Sequence, residues 1–341
     1  MERHPLVSAI VSLYAAERFV AGCLDGLIRQ TIWSDMEIIV VDACSPQNEA
    51  AVVRSRQERF PNIVYMRTPA REGVYASWNR AVRLARGRYL INANADDRLR
   101  PDALEVMVGT LEARPDIGFV YGDCQVGIQE NETYEANSGD KLMRFPEFFA
   151  PATLLYCQLG PQPLWRANLH QEVGFFDESY QACGDWDFNI RLAAVTQGLH
   201  LSEALGLYLE HPAAISFRDD TTPRENELVR RRWQHPRAVE ERYAAMGVPC
   251  DTLTRRAAIF LDMGLRALRF YPPWRYGAPE SASSFAQDCF REALRLDSDC
   301  TSAKEWLGRP DATALTADPL SPLGLPTQAA LAGLTTLPGN P

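Results

Sequence analysis

The chain has 341 residues, of which 46% are hydrophobic and 23% charged, with a formal net charge of −9. That length buries a large core in one or two domains, and the composition excludes a disordered or fibrous protein. The acidic balance argues against a general nucleic-acid or anionic-membrane binder, and no apolar run approaches the ~18 residues that span a bilayer.

In chain order, residues 6–13 read as a strand. The run is short, is preceded by Glu2 and is closed by Glu17-Arg18, so it suits a strand rather than a signal peptide. A cytoplasmic location, at most peripheral to a membrane, is the expectation. A helix over about 16–30 follows, then a strand at 37–41, a helix over about 47–59, a strand at 63–66, a helix over about 74–86 and a strand at 89–92. Apolar runs alternating with helices predict βαβ units and a largely parallel sheet, whose ligands sit beyond the carboxyl ends of the strands. Eight cysteines, at 23, 44, 124, 157, 183, 250, 289 and 300, form no Cys-x-x-Cys pair, and the five histidines are dispersed. They read as thiols in a reducing compartment, without a structural zinc site.

The fourth strand runs into Asn92-Ala93-Asn94-Ala95-Asp96-Asp97. Adjacent carboxylates repel, and a divalent cation carrying a phosphate is a common reward for placing them together. The competing reading is an Asp-rich turn and helix cap ahead of Pro101.

Four ordered blocks carry a resemblance: residues 7–14 (VSAIVSLY), 37–45 (EIIVVDACS), 73–81 (GVYASWNRA) and 85–89 (ARGRY). A fifth lies at 173–178 (VGFFDE) and 184–193 (GDWDFNIRLA). In order and spacing the chain resembles family 2 glycosyltransferases of the GT-A fold over about residues 5–217. The resemblance implies an α/β, Rossmann-like fold with a mixed, mainly parallel sheet flanked by helices, and a nucleotide-sugar donor.

By that resemblance Asp42 accepts a hydrogen bond from the nucleotide base, and Leu13 and Tyr14 line it. Arg71, Gly73 and Asn79 lie beside the nucleotide: glycine admits close approach, arginine suits a base carbonyl or phosphate, and Asn79 alternatively is a helix-surface amide. Asn94-Ala95-Asp96 stands at the family's D-x-D position, so Asp96 is the matched ligand of a Mn²⁺ or Mg²⁺ ion, while Asn94 removes one negative charge. Asp97 orients the loop. His211, after a strand, matches a histidine near the diphosphate and metal, with an ordinary polar surface residue as the alternative. Asp185 matches the family's catalytic acid and opens a helix whose positive end favours its ionised form; it is the candidate general base of an inverting transfer, and equally a helix cap. Trp165, Trp186 and Asp187 fall on the acceptor side, each tryptophan being alternatively a core aromatic. Residues 130–141, polar and aperiodic, suit a mobile lid.

Residues 218–243 are charge-dense, with Arg230-Arg231-Arg232-Trp233 and Arg237 as a basic patch, either a solvated helix or a phosphate- or membrane-facing one. Residues 253–270 and 284–296 are amphipathic helices; the second, continuing to Ala303 and Trp306, loosely resembles the end of a tetratricopeptide repeat. The expected layout is therefore a catalytic domain at 1–217, a helical extension at 218–316 that docks on the catalytic domain or a protein partner, and a disordered Pro- and Gly-rich tail at 317–341. The acceptor is a glycan, a lipid-linked molecule or a protein. Three rival functions are a nucleotide-sugar-binding pseudoenzyme, suggested by Asn94, a nucleotidyltransferase on a similar sheet, and an interaction protein built on the C-terminal helices. The second wants a Gly-rich basic loop after strand one, where this chain has Tyr14-Ala15-Ala16-Glu17.

Overall fold

The structure, a computed structural model, describes residues 4–212, 214–215, 221–270, 279–308 and 323. Its contacts divide the chain into two compact units: Met1–Phe145 with Leu159–Phe188 and Thr196–Arg218, and Pro146–Gln158 with Asn189–Val195 and Asp219–Pro341.

The first unit begins β1 (Val7–Leu13), α1 (Glu17–Ile28), β2 (Met36–Asp42), α2 (Glu49–Gln57), β3 (Ile63–Arg67), α3 (Val74–Leu84) and β4 (Tyr89–Asn92). Every boundary lies within two residues of its expected place. All seven residues of β2 are buried, and each fully buried Val or Ile there stabilises the fold by ~1.5–3 kcal/mol. Then come β5 (Arg98–Leu99), α4 (Ala103–Ala113), β6 (Ile117–Gly127), β7 (Lys141–Met143), β8 (Leu164–Arg166), α5 (His170–Val173), α6 (Gly184–Val195), of which Asn189–Val195 belong to the second unit, and β9 (Gln197–Leu209). Nine strands among the described residues form one sheet of order β3-β2-β1-β4-β8-β6-β9-β5, with β7 paired to β6. β3, β2, β1 and β4 are mutually parallel, as are β6 and β9, whereas β8 runs antiparallel to both of its neighbours and β5 to β9.

Register brings Leu13, Asp42 and Arg67 side by side at the carboxyl edge. α4 starts after Asp102, which itself makes no side-chain cap bond, so Asp96 and Asp97 are not the caps of a helix ahead of Pro101. The segment at 130–141, expected to be a lid, is tied down by side-chain bonds in this conformation. Glu132 accepts from the backbone N–H of Ser138 at 2.6 Å and of Gln129 at 3.3 Å, Asn137 Nδ2 donates to Gln125 Oε1 at 2.8 Å, and the Tyr134 hydroxyl donates to the Ala204 carbonyl at 2.6 Å. Local side-chain-to-backbone bonds shape this segment although it has no periodicity.

The second unit contains α7 (Thr221–Trp233), α8 (Pro236–Ala244), α9 (Leu253–Phe270), α10 (Pro279–Leu296) and α11 (Thr301–Leu307). Phe285, Cys289, Ala293 and Leu296 are buried on one face of α10, as their spacing predicts, and Phe290 stacks on Trp306 of α11. Buried Asp262 accepts from the Tyr243 hydroxyl at 2.5 Å and from Arg266 Nε at 2.6 Å. In the basic patch, Arg231 pairs with Glu227, Arg237 pairs with Glu241, and Arg230 is buried rather than solvated. The expected tail at 317–341 lies outside the described residues apart from Leu323. Among the described residues no helix is long and apolar enough to cross a membrane, and all eight cysteines are free thiols.

Candidate active site

Three loops at the carboxyl edge of the parallel strands, and the start of α6, carry the polar side chains of the site. Asp42 ends β2 and is fully buried. Its Oδ1 accepts from the Ser45 backbone N–H at 2.7 Å; its Oδ2 accepts from the Tyr65 hydroxyl and from Arg67 Nη1, both at 2.7 Å. A carboxylate has about four acceptor positions, so three are spent on holding it and one remains. Ser45 Oγ accepts from the Ala15 N–H at 2.9 Å and donates to buried Glu49 at 2.6 Å; Glu49 in turn accepts from the Ala16 N–H at 2.7 Å. The loop after β1 is thereby stapled to the loop after β2. Ser45, Tyr65 and Arg67 were not singled out from the sequence, because their role is to orient Asp42 rather than to match a motif.

Leu13 is buried in the core and its carbonyl accepts from the Ala43 N–H, so it shapes the edge from below. Tyr14 is 38% exposed, and the Arg71 guanidinium lies 4.1 Å from its ring centroid, a cation–π pair that joins the loops after β1 and β3. Space beside Gly73, at the N-terminus of α3, is open: a Cβ there meets nothing within 4 Å.

Asn79 is corrected. It is 1% exposed, not a helix-surface amide; its Nδ2 donates to the Phe176 carbonyl and to Glu178 Oε1, and its Oδ1 accepts from the Phe176 N–H. Those bonds tie α3 to the segment before α6, so its amide is spent on packing and not on a nucleotide.

Beyond β4, Asp96 Oδ2 and His211 Nε2 face each other at 3.1 Å, both partly open to solvent. Asp97 is buried and shapes the loop: its Oδ1 accepts from the Leu209 N–H at 3.0 Å and its Oδ2 from Asn94 Nδ2 at 2.9 Å. Burial, with the adjacent Asp96 second, pushes the Asp97 carboxyl up to about 8. Asn94 thus turns its amide nitrogen inward onto Asp97, and Ala95 gives its carbonyl to Arg98 at 2.9 Å. Among the described residues no group of three His, Cys, Asp or Glu side chains converges on one point. The donor pair Asp96 and His211 nevertheless fits a hard divalent cation, which is commonly held by one or two protein ligands together with phosphate oxygens and water.

Asp185 stands in the first turn of α6. Its Oδ1 accepts from the Trp186 N–H at 2.8 Å and from the Tyr75 hydroxyl at 3.2 Å. Burial, then the Asp185 carboxylate, holds the Tyr75 phenol well above its usual range, so it stays a donor. Gly184 makes the contact possible, since a Cβ there would lie 2.8 Å from the Tyr75 ring.

The acceptor-side tryptophans are corrected as well. Trp165 and Trp186 are each 1% exposed. Trp165 packs with Phe176, Phe188 and His170, and donates from Nε1 to His170 Nε2 at 3.1 Å. A ring that stacks on a sugar needs an open face, so both are core aromatics. Asp187 is fully buried too, which removes it from an acceptor surface.

Residues 8–170 match the family described as Glycosyl transferase family 2. They form a family 2 glycosyltransferase domain. Over 248 residues the chain is 23% identical to the chondroitin synthase of Escherichia coli, covering 73% of this chain and 34% of that one. It is 25% identical to an uncharacterized glycosyltransferase of Haemophilus influenzae, covering 69% and 79%. An uncharacterized protein of Sinorhizobium fredii is 26% identical, and the match covers 25% of its length. The chain therefore spans about a quarter to a third of two of these relatives. Among solved structures, Staphylococcus aureus TarS 1–349 in complex with UDP-GlcNAc aligns over 86% of this chain and 83% of that one, with a TM-score of 0.57 and 14% identity. The fold is thus the mixed α/β fold of the GT-A glycosyltransferases.

Proposed function

We propose that this enzyme moves a sugar from a UDP-sugar to an acceptor hydroxyl with inversion at the anomeric carbon. The observation that carries the reading is the Asp96–His211 pair, which faces outward from the loop beyond β4, on the same sheet edge as Asp42. Tyr14 with Arg71 offers an apolar face and a cation to a uracil ring, at the strand edge that fully buried Asp42 fixes from within. UDP is favoured because complexes of TarS hold UDP and UDP-GlcNAc. Asp96 and His211 would hold a divalent cation, which when bound offsets charge growing on the leaving diphosphate. The Asn94 Oδ1, on the same loop, suits a ribose hydroxyl. Asp185 takes the proton of the attacking hydroxyl; the dipole of α6 and the Tyr75 hydroxyl keep it ionised and aimed. The acceptor hydroxyl belongs to a glycan, a lipid-linked carrier or a protein.

Calorimetric titration with UDP-, GDP- and TDP-sugars, with and without Mn²⁺, tests this reading. UDP-sugar binding that needs Mn²⁺, is lost in Asp96→Ala and persists in Asp185→Asn is the expected result. Asp185→Asn should lower turnover at least ~100-fold, the usual share of a positioned base. Absence of binding to every donor would reduce the assignment to a shared fold.

A further inference from the structure

Arg98 follows the two acids directly, yet its side chain turns inward and is 5% exposed. Its Nη1 donates to the Ala95 carbonyl at 2.9 Å and to the Asp97 carbonyl at 2.6 Å. Its Nη2 donates to Asn131 Oδ1 at 3.2 Å. One planar fork therefore grips two carbonyls of the loop that presents Asp96 and one side chain of the segment at 128–140. The helix beneath is cut out to admit it: a Cβ at Gly22 of α1 would lie 2.4 Å from Nη2. Glycine within a helix costs about 1 kcal/mol relative to alanine, so α1 gives up stability to house this guanidinium. Asn131 has φ +62, a left-handed conformation that asparagine tolerates, and it is the point where the segment meets the fork. The segment is otherwise anchored by Glu132, Asn137, Tyr134 and the Arg18–Glu130 pair at 2.9 Å.

We propose that Arg98 is a positioning residue that couples residues 94–97, and with them Asp96, to the segment at 128–140 through Asn131. Cation and diphosphate held at Asp96 then stabilise that segment, and the segment in turn sharpens the geometry of Asp96; the inference rests on reading Asp96 as the diphosphate end of the site. Groups behind a metal ligand commonly carry a ten- to hundredfold effect on metal affinity while leaving the rest of the fold alone.

The test uses the full chain and three variants. Asn131→Gly removes the acceptor and keeps the left-handed backbone, Asn131→Asp restores an acceptor for the guanidinium, and Gly22→Ala crowds Nη2 from α1. Hydrogen exchange is measured without ligand, and the Mn²⁺ concentration for half-maximal UDP binding is measured by calorimetry. Asn131→Gly should speed exchange of the amides at 94–98 and raise the Mn²⁺ requirement about tenfold, with UDP affinity at saturating Mn²⁺ and the melting temperature near wild type. Gly22→Ala should act in the same direction, and Asn131→Asp should return both readouts toward wild type. Wild-type exchange at 94–98 and a wild-type Mn²⁺ requirement in Asn131→Gly would overturn the proposal. So would a loss of UDP affinity that is equal with and without Mn²⁺. Wild-type protein that binds no nucleotide, while Asn131→Gly still loosens residues 94–98, would remove the nucleotide reading and support the loop coupling on its own.

Discussion

Stacking on a sugar requires an aromatic face open to water, and Trp165 has none: Phe176, Phe188 and His170 surround its indole. Trp165→Phe should accordingly lower stability by about 1–3 kcal/mol, through the lost bond to His170 and the void left by the smaller ring, with donor affinity unchanged. Urea unfolding alongside calorimetry checks both halves of that expectation. Gly184→Ala probes the other side of the chemistry, because the added methyl meets the Tyr75 ring and pushes the phenol away from Asp185. Turnover should fall more than UDP-sugar affinity, a split that steady-state kinetics and calorimetry read together. Asp42, Asp96 and Asp185 were legible in the sequence because a carboxylate at the end of a strand or the start of a helix is marked by local pattern. Ser45, Tyr65 and Arg67 were not: Tyr65 and Arg67 meet Asp42 only because parallel pairing sets β3 beside β2, and Ser45 only through the turn that follows β2.

At the scale of elements, β1 to β4 with their helices could be read from sequence, since strands buried on both faces appear as unbroken Val- and Ile-rich runs. β6 and β9 could not. β6 carries Gly118, Gly122, Asp123 and Gly127 within one strand, and its register with β9 shifts near Gly122 and Asp123, so its local pattern suggests neither strand nor helix. The segment at 128–140 was legible only as polar. Burial alone would raise Glu132, but the hydrogen bonds from Ser138 and Gln129 hold it below its ordinary carboxylate range. A depressed folded-state value means that its contribution is present above the unfolded carboxylate value and is lost as pH falls through the folded one. Hydrogen exchange at 129–138, corrected for intrinsic rates, should rise on acidification through that range in wild type. It should lose this pH dependence in Glu132→Gln.

For the whole molecule, each unit carries its own buried polar anchor. In the helical unit, Asp262 is the acceptor for both Tyr243 and Arg266. Asp262→Ala should cost about 3–5 kcal/mol in urea unfolding of the full chain, because removing one partner of a buried pair leaves the other charge poorly compensated. By itself, the sequence determined the alternation of strands and helices, the GT-A resemblance through five ordered blocks, and the carboxylates at the strand and helix ends. Those features follow from hydrophobic periodicity and local motif spacing, which are properties of short stretches of chain. Only the tertiary structure decided that Trp165, Trp186, Asp187 and Asn79 turn into the core. It also brought His211 to Asp96 across 115 positions of sequence and gave Arg98 a socket in α1. Which way a polar side chain faces is fixed by the elements packed against it, and those elements arrive from far along the chain.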